Sequence, residues 1–357
     1  MKNLAAQFSR IPHFCVWEIT GACNMRCSHC ETDSGKRVHN ELTTKEALML
    51  ADDLAAAGCK VVNLAGGEPL IRKDWRDIAG RLVRNGIEVG IVTNGIALNE
   101  KILSQLLDIG VNGVSVSLDG EQEAHDMIRK TSSRTRGSAH AQAINAVELL
   151  SASSLKTAVI TQVNRASFPD LDLLYERLAT LRIDNWQIQL AMPLGRTLEL
   201  EREYLLDPAQ IPELLNRIAG FIEDGRLTIS AADNLGYYSR HEPLLRQTKE
   251  RKKVFWTGCM AGIRSINILP GGDVKGCPAQ PSSFVVGNVH STPLAELWSN
   301  KENFAYNTNW NEDLLEGKCA ECAYRRLCRA GCTAMAYAVT GTIYDNPFCF
   351  QRTEAAT

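Results

Sequence analysis

Between residues 14 and 190 the sequence repeats one unit: a short β-branched or apolar run, then a longer stretch with helical periodicity. FCVWEIT (14–20), VVNLA (61–65), IEVGIVT (87–93), GVSVSL (113–118), TAVITQV (157–163) and WQIQLA (186–191) predict six strands. Helices are predicted around 44–57, 74–85, 99–109, 138–152 and 170–181, with Thr44 as the first cap and Gly58, Gly86 and Gly110 at helix ends. Strands that alternate with helices pair in parallel, because each right-handed crossover returns the next strand in the same direction. The class is α/β, either a doubly wound sheet or a partial barrel. In both, ligands collect at the carboxyl ends of the strands. That end carries a cysteine group, GGEP at 66–69, TNG at 93–95 and SLDG at 117–120.

Composition narrows the partners. With 39 basic and 41 acidic residues the formal charge is -2, which gives no global field to attract nucleic acid or an anionic membrane. No segment approaches the roughly 18 apolar residues of a membrane span. The opening residues lack the apolar stretch of a signal peptide, so the expected location is the cytoplasm. Thiols kept in quantity in a reducing compartment are usually metal ligands or catalytic groups, and this chain of 357 residues has 12 cysteines. Cys23, Cys27 and Cys30 form one group and seven lie between Cys259 and Cys349, while Cys15 and Cys59 stand apart as small buried residues. The expected domains are an α/β unit over 1–194, a helical bridge over 195–255 and a cysteine-rich unit over 256–357. KERKK at 249–253 reads as solvated surface, Gly271-Gly272 as a turn, and TPLAELW at 292–298 as a short helix.

CNMRCSHC places three thiols in C-x3-C-x2-C spacing on a loop after the first strand. Thiolates suit iron–sulfur clusters, and a cubane needs four protein ligands to close all its irons. Cys15 lies within the strand, poorly placed to be the fourth, so one iron is left with an open position. These residues, followed by Gly66-Gly67-Glu68-Pro69 after the second strand, resemble the radical S-adenosylmethionine (SAM) enzymes. The resemblance implies a 4Fe-4S cluster on Cys23, Cys27 and Cys30 whose open iron is chelated by SAM. It also implies that GGEP holds the SAM ammonium, glycine allowing close approach to the ligand. It puts Thr93, Asn94, Ser117 and Asp119 along the SAM pocket; on residue type alone they read equally well as strand-end caps. Asn164 is a weaker member of that set, Arg129 pairs either with the SAM carboxylate or in a surface ion pair, and His29 packs near the cluster. The implied chemistry is reductive SAM cleavage to a 5'-deoxyadenosyl radical that takes a hydrogen atom from the substrate, fed by a flavodoxin- or ferredoxin-type donor. No protein acid, base or nucleophile is required for that step.

The carboxyl-terminal pattern is Cys259, Gly272-x4-Cys277, Cys319-x2-Cys322-x5-Cys328-x3-Cys332 and Cys349. It resembles the SPASM domain, which implies a partial (β/α)6 TIM-type barrel followed by a domain with two auxiliary iron–sulfur clusters. Carried over, Cys319, Cys322, Cys328 and Cys349 close one cluster, while Cys259, Cys277 and Cys332 hold the other, one thiol short. An open iron, a non-cysteine ligand and a cluster of lower nuclearity are all compatible with that shortage. By spacing alone, Cys319 to Cys332 would also suit structural zinc.

Substrates in this branch are mainly peptides or proteins, and less often small molecules such as tetrapyrroles. Sulfatase-maturing members carry Asp after the cysteine of the G-x4-C segment, where this chain has Pro278. About a dozen residues precede the first strand, too few for a fused leader-binding domain. The expectation is a radical SAM enzyme acting on a ribosomally made precursor peptide with a separate leader-binding protein; the alternative is a small-molecule substrate. A non-catalytic electron carrier would have no use for GGEP.

Overall fold

The computed structural model describes residues 11–131, 137–198, 204–247 and 254–354; the charged run at 249–253 lies outside them. Six strands fall within a residue or so of their expected bounds: β1 (Phe14–Thr20), β2 (Val61–Gly66), β3 (Glu88–Thr93), β4 (Gly113–Ser117), β5 (Lys156–Val163) and β6 (Asn185–Leu190). They join in sequence order as one parallel sheet, with helices α1 (Thr44–Ala56), α2 (Trp75–Arg84), α3 (Glu100–Ile109), α4 (Gln122–Ile128), α5 (Ala139–Ser151) and α6 (Leu171–Ala179) in the connections. The arrangement is the expected partial barrel.

Period-two alternation explains the layering. Trp17, Ile19, Leu64, Ile91, Val116, Trp186 and Ile188 are buried beneath the helices, Trp186 lying 6.2 Å from the Tyr175 ring of α6. The alternate positions include Glu18, Asn63, Ser115, Gln162, Gln187 and Gln189, so the face turned away from the helices is polar. α1 starts one residue away from its expected cap. The N-cap is Thr43, which accepts from Glu46 N while the Glu46 carboxylate accepts from Thr43 N, a reciprocal box unavailable to Thr44.

Three features were not legible. α4 is too short to show a period. The stretch over 195–255 contains, besides α7 (Ile211–Asp224), a strand β7 (Ile229–Ala231) that extends the sheet beyond β6. The cysteine-rich segment also continues the same sheet: β8 (Ser265–Ile268) lies parallel to β1, pairing Phe14 with Ser265 and Trp17 with Ile268. β9 (Asp273–Lys275) returns antiparallel through a turn at Gly272, whose φ of +86° needs glycine, and β10 (Gly287–Asn288) forms the edge. The strand order is β10-β9-β8-β1-β2-β3-β4-β5-β6-β7. The expected short helix is found at Leu294–Ser299. No helix among the described residues is long and apolar enough to cross a membrane.

Candidate active site

The first cysteine loop leaves β1 through a turn gathered by one carboxylate. Glu41 accepts from Thr20 Oγ1 (2.9 Å), Gly21 N (2.8 Å) and Val38 N (3.1 Å). Loop amides point at sulfur: Met25 N donates to Cys23 Sγ and Ser34 N to Cys30 Sγ, each at 3.4 Å. Arg196, after β6, braces the loop from outside by donating to Cys27 O (2.8 Å) and Ser34 O (2.7 Å) and pairing with Asp33 (2.7 Å). Its own amide donates to Cys30 O at 3.0 Å, and Gly195 before it packs so closely that a Cβ would come within 2.4 Å of that oxygen. Burial pushes the Cys23 thiol up to about 12, and Glu68, Cys27 and Cys30 add to the rise against the Met25 amide.

GGEP lies directly against this loop. Gly67 N donates to Thr20 O (2.7 Å) and Glu68 N to Ala22 O (2.8 Å), and a Cβ on Gly67 would stand 2.0 Å from Ala22 O. The bare backbone therefore serves the approach of the cysteine loop itself. Glu68 is fully buried and accepts from Thr93 Oγ1 (2.8 Å), Asn94 N (2.8 Å) and Leu70 N (3.2 Å), which locks GGEP to the end of β3. Burial pushes its carboxyl up to about 7 against those hydrogen bonds. Pro69 opens a short 3-10 turn. Asn94 Nδ2 reaches Asn24 Oδ1 at 2.7 Å, so Thr93 and Asn94 tie the GGEP loop to the cysteine loop. Ser117 is half-buried at the end of β4.

Asp119, just after β4, is engaged by three neighbours. Its carboxylate pairs with Arg129 (2.6 Å) and His29 (3.1 Å) and accepts from Gln162 N (2.8 Å), and its side chain is fully buried. Burial alone would raise its carboxyl, but Arg129 and His29 outweigh burial and hold it well below the ordinary range. Asp119 is thus an interior ion-pair hub, because a buried guanidinium requires a charged partner. The ion pair of Arg129 with Asp119 lies inside the protein and not at its surface. The His29 ring lies 6.3 Å from that of Tyr204. Asn164 caps the end of β5, accepting from Ala166 N and Ser167 N at 2.8 and 3.0 Å.

On the sheet's polar face, Gln162 Nε2 donates to Glu31 Oε1 at 2.8 Å, and Asn267 Nδ2 on β8 donates to Glu18 Oε1 at 3.1 Å. Lys275 on β9 is 6% exposed and donates to the carbonyls of Pro278 (2.8 Å) and Gln280 (2.5 Å). Burial pushes the Glu31 carboxyl up to about 7, opposed by the Gln162 hydrogen bond and by Lys275. Gln162 Oε1, Asn267 Oδ1 and Gln280 Nε2 are buried without a hydrogen-bond partner. Orphaned polar atoms of this kind are uncommon in native interiors. Three of them belong to this one group.

The later cysteines fall into two electrostatic neighbourhoods. Burial raises Cys328, with Cys349, Cys319 and Cys322 adding to the rise; burial raises Cys332, with Cys259 and Cys277 adding. A cavity of ≈ 450 Å³ opens beside Cys319, Cys322 and Cys349. All twelve cysteines are free thiols.

The Radical SAM superfamily profile matches residues 17–178, and an iron–sulfur cluster-binding SPASM profile matches residues 259–323. The mycofactocin maturase MftC of Mycobacterium tuberculosis is 30% identical over 356 residues, spanning 97% of this chain and 85% of MftC. The chain belongs to the radical SAM superfamily. An AdoMet-dependent heme synthase of Methanosarcina barkeri is 29% identical over 355 residues, covering 96% of this chain and 97% of the synthase. Streptococcus suis SuiB, solved with S-adenosylmethionine, shares the fold with a TM-score of 0.73 at 16% identity, covering 96% of this chain and 76% of SuiB.

As a radical SAM enzyme with a SPASM domain, the protein uses SAM, a 4Fe-4S cluster and auxiliary iron–sulfur clusters. The residues fit those groups. Thiols whose protons are held by burial and by each other need a cationic centre to become thiolates, and each neighbourhood gathers three or four of them. Three contributors escaped sequence reasoning. Arg196 carries no motif. Glu31 and Lys275 had a faint signal, being charged residues next to ligand motifs, Lys275 two places before Cys277 on a strand that buries that face.

Proposed function

We propose that this radical SAM enzyme acts on a peptide or protein substrate, most of all a ribosomally made precursor peptide, bound over the polar face between Cys23, Cys27 and Cys30 and the SPASM cysteines. The observation that carries this is the group of Glu18, Glu31, Gln162, Asn267, Lys275 and Gln280, with three buried polar atoms left without partners. A peptide, with an N–H and a C=O at nearly every residue, matches such a surface group for group. The peripheral carboxylates of a tetrapyrrole accept and do not donate, so they would leave Gln162 Oε1 and Asn267 Oδ1 unpaired.

In this reading Cys23, Cys27 and Cys30 hold the SAM-binding cluster, with Gly66 to Pro69, Thr93, Asn94 and Ser117 around SAM. Cys319, Cys322, Cys328 and Cys349 close one auxiliary cluster, and Cys259, Cys277 and Cys332 hold the second. When bound, the cofactors supply a 5'-deoxyadenosyl radical that removes a hydrogen atom from the substrate. The chain's own residues orient and shield. Glu68 and Arg196 fix the loops that meet at the strand ends, and Glu31, Gln162 and Lys275 align the substrate. A separate leader-binding protein, an electron donor of flavodoxin or ferredoxin type and a cytoplasmic location complete the proposal. The supporting precedents are the mycofactocin maturase relative and the solved complex of SuiB with its precursor peptide SuiA.

A second reading, a tetrapyrrole substrate, is favoured by the near end-to-end match to the heme synthase. Anaerobic reaction with SAM and reductant separates the two. Mass spectrometry of peptides encoded beside the gene is expected to show a modified product. Substrate-dependent 5'-deoxyadenosine with a tetrapyrrole and with none of those peptides would reverse the assignment. Lys275→Met is expected to raise the substrate KM about tenfold, ~1.4 kcal/mol, with substrate-free SAM cleavage retained.

A further inference from the structure

Cys259, Cys277 and Cys332 are one ligand short, and the two remaining thiols are not available to them. Cys15 is fully buried in the hydrophobic core, and beside it Cys59 Sγ faces His13 O and Val61 O at 3.8 and 3.4 Å. A fourth protein ligand would therefore be a residue other than cysteine.

β7 ends at Ala231, and the turn that follows is fixed on three sides. Arg246 donates to the carbonyls of Ala231, Ala232 and Leu235 at 3.4, 3.1 and 2.8 Å. Asn234 clamps both backbone groups of Leu190, at 3.1 and 2.8 Å. Tyr237 Oη donates to Asp233 O at 2.8 Å and accepts from Cys332 N at 2.8 Å, so two hydrogen bonds join residue 233 to Cys332. Gly331, at φ +71°, lies against the Tyr237 ring so closely that a Cβ would come within 2.2 Å. The turn and the cysteine are therefore held in register.

With its backbone so fixed, the Asp233 side chain is left over. It is exposed and makes no hydrogen bond or ion pair among the described residues. Arg246, the natural cation for it, gives its donors to carbonyls and to Glu242. The field of the Asp233 carboxylate reaches Cys259, Cys277 and Cys332 alike. The hydroxyl of Tyr306, whose field reaches two of those thiols, already donates to Gln280 Oε1 at 3.1 Å.

We infer that Asp233 supplies the fourth protein ligand of the cluster held by Cys259, Cys277 and Cys332. A carboxylate is a harder donor than a thiolate, so the iron it binds differs from its three neighbours and exchanges its ligand more readily. The cluster is closed at rest and opens at a defined corner.

The inference rests on assigning those three cysteines to one cluster, which is checked separately: Cys277→Ser must lower the iron content by part or all of one cluster. The test uses the full-length protein reconstituted anaerobically, with Cys23, Cys27 and Cys30 all changed to Ala so that only auxiliary clusters remain. Carbon-13 cyanide is added to the reduced protein, and its hyperfine coupling is read by pulsed electron paramagnetic resonance. Titrated with cyanide, Asp233→Ala is expected to show the coupling at lower cyanide than the parent, where the carboxylate must first be displaced, and Asp233→Cys to show none. If Asp233→Ala sheds the iron of one cluster, recovery of that iron in Asp233→Cys supports the ligand and continued loss overturns it. Coupling that appears at the same cyanide concentration in the parent and in Asp233→Ala, or that is absent from an Asp233→Ala protein with full iron, also overturns it.

Discussion

Two regions of the molecule each offer three cysteines, and what separates them is the carboxylates nearby. Around Cys23, Cys27 and Cys30 the acids are occupied: Glu68 accepts from three donors, and Asp119 is paired with Arg129 and His29. Around Cys259, Cys277 and Cys332 one acid, Asp233, has no partner among the described residues. The same thiol count therefore leads to opposite ends. On the proposed assignment, the first group keeps an open position for SAM because its carboxylates are tied back, and the second takes Asp233 as an oxygen ligand. Counting cysteines alone would treat the two alike.

The sharpest way to break the comparison is to remove one thiol from each group. Cys27→Ala is expected to lower SAM cleavage at least about 10³-fold, ~4 kcal/mol in barrier, read as 5'-deoxyadenosine formed after reduction. Cys332→Ala is expected to leave substrate-free SAM cleavage measurable while product formation stops. Equal loss of SAM cleavage in both variants would mean that the two groups do not have separate tasks.

Next in size is the tie that occupies Asp119. Asp119→Asn leaves Arg129 buried without its charge partner, a loss of roughly 3–5 kcal/mol in folding stability by denaturant titration. The sign with pH follows from the depressed native carboxyl. The native state holds the ionised form, so the stabilisation is complete above the unfolded carboxylate value of ~4 and is lost as pH falls through the lower native value. The gap between wild type and variant should thus be widest near neutrality and narrow in acid. A gap independent of pH would remove the ion pair as its cause.

Legibility in the sequence followed the range of the interaction. The six strands were read nearly to the residue because alternation such as WQIQL is local, and the polar letters in it are the ones that face away from the helices. The glycines of GGEP were visible, but the reason for them was not, since the atoms that crowd Gly67 belong to Ala22, far back in the chain. Asp119 and Arg129 stood in recognisable motifs, and nothing local shows that they pair with each other. β7 was hidden because three residues carry no period, and Asp233 was hidden with it, nearly a hundred positions before the Cys332 amide to which its turn is tied. Gly271-Gly272 was legible as a turn, yet the parallel pairing of β8 with β1 depends on an open sheet edge that only the fold creates.

The smallest effect sharpens the comparison most finely, because both thiol groups are braced by an arginine acting on backbone carbonyls. Arg196 holds Cys27 O and Ser34 O beside the first group, as Arg246 holds the turn of Asp233 beside the other. Arg246 also pairs with the buried Glu242, so its removal would strand a charge and confuse the result. Arg196 has a cleaner role: its ion-pair partner Asp33 is exposed, and an exposed pair contributes only about 0–1 kcal/mol. Arg196→Ala should therefore weaken the protein by about 1–3 kcal/mol, chiefly through lost hydrogen bonds to carbonyls. The loss should be confined to one loop. Iron release to a chelator should quicken from the cluster at Cys23, Cys27 and Cys30, with the auxiliary signals unchanged. Arg196→Lys should recover only part of the effect, because a single ammonium cannot reproduce the guanidinium fork that reaches two carbonyls and Asp33 at once. Faster release from all clusters together would mean that Arg196 supports the barrel as a whole rather than the loop that keeps its first iron site open.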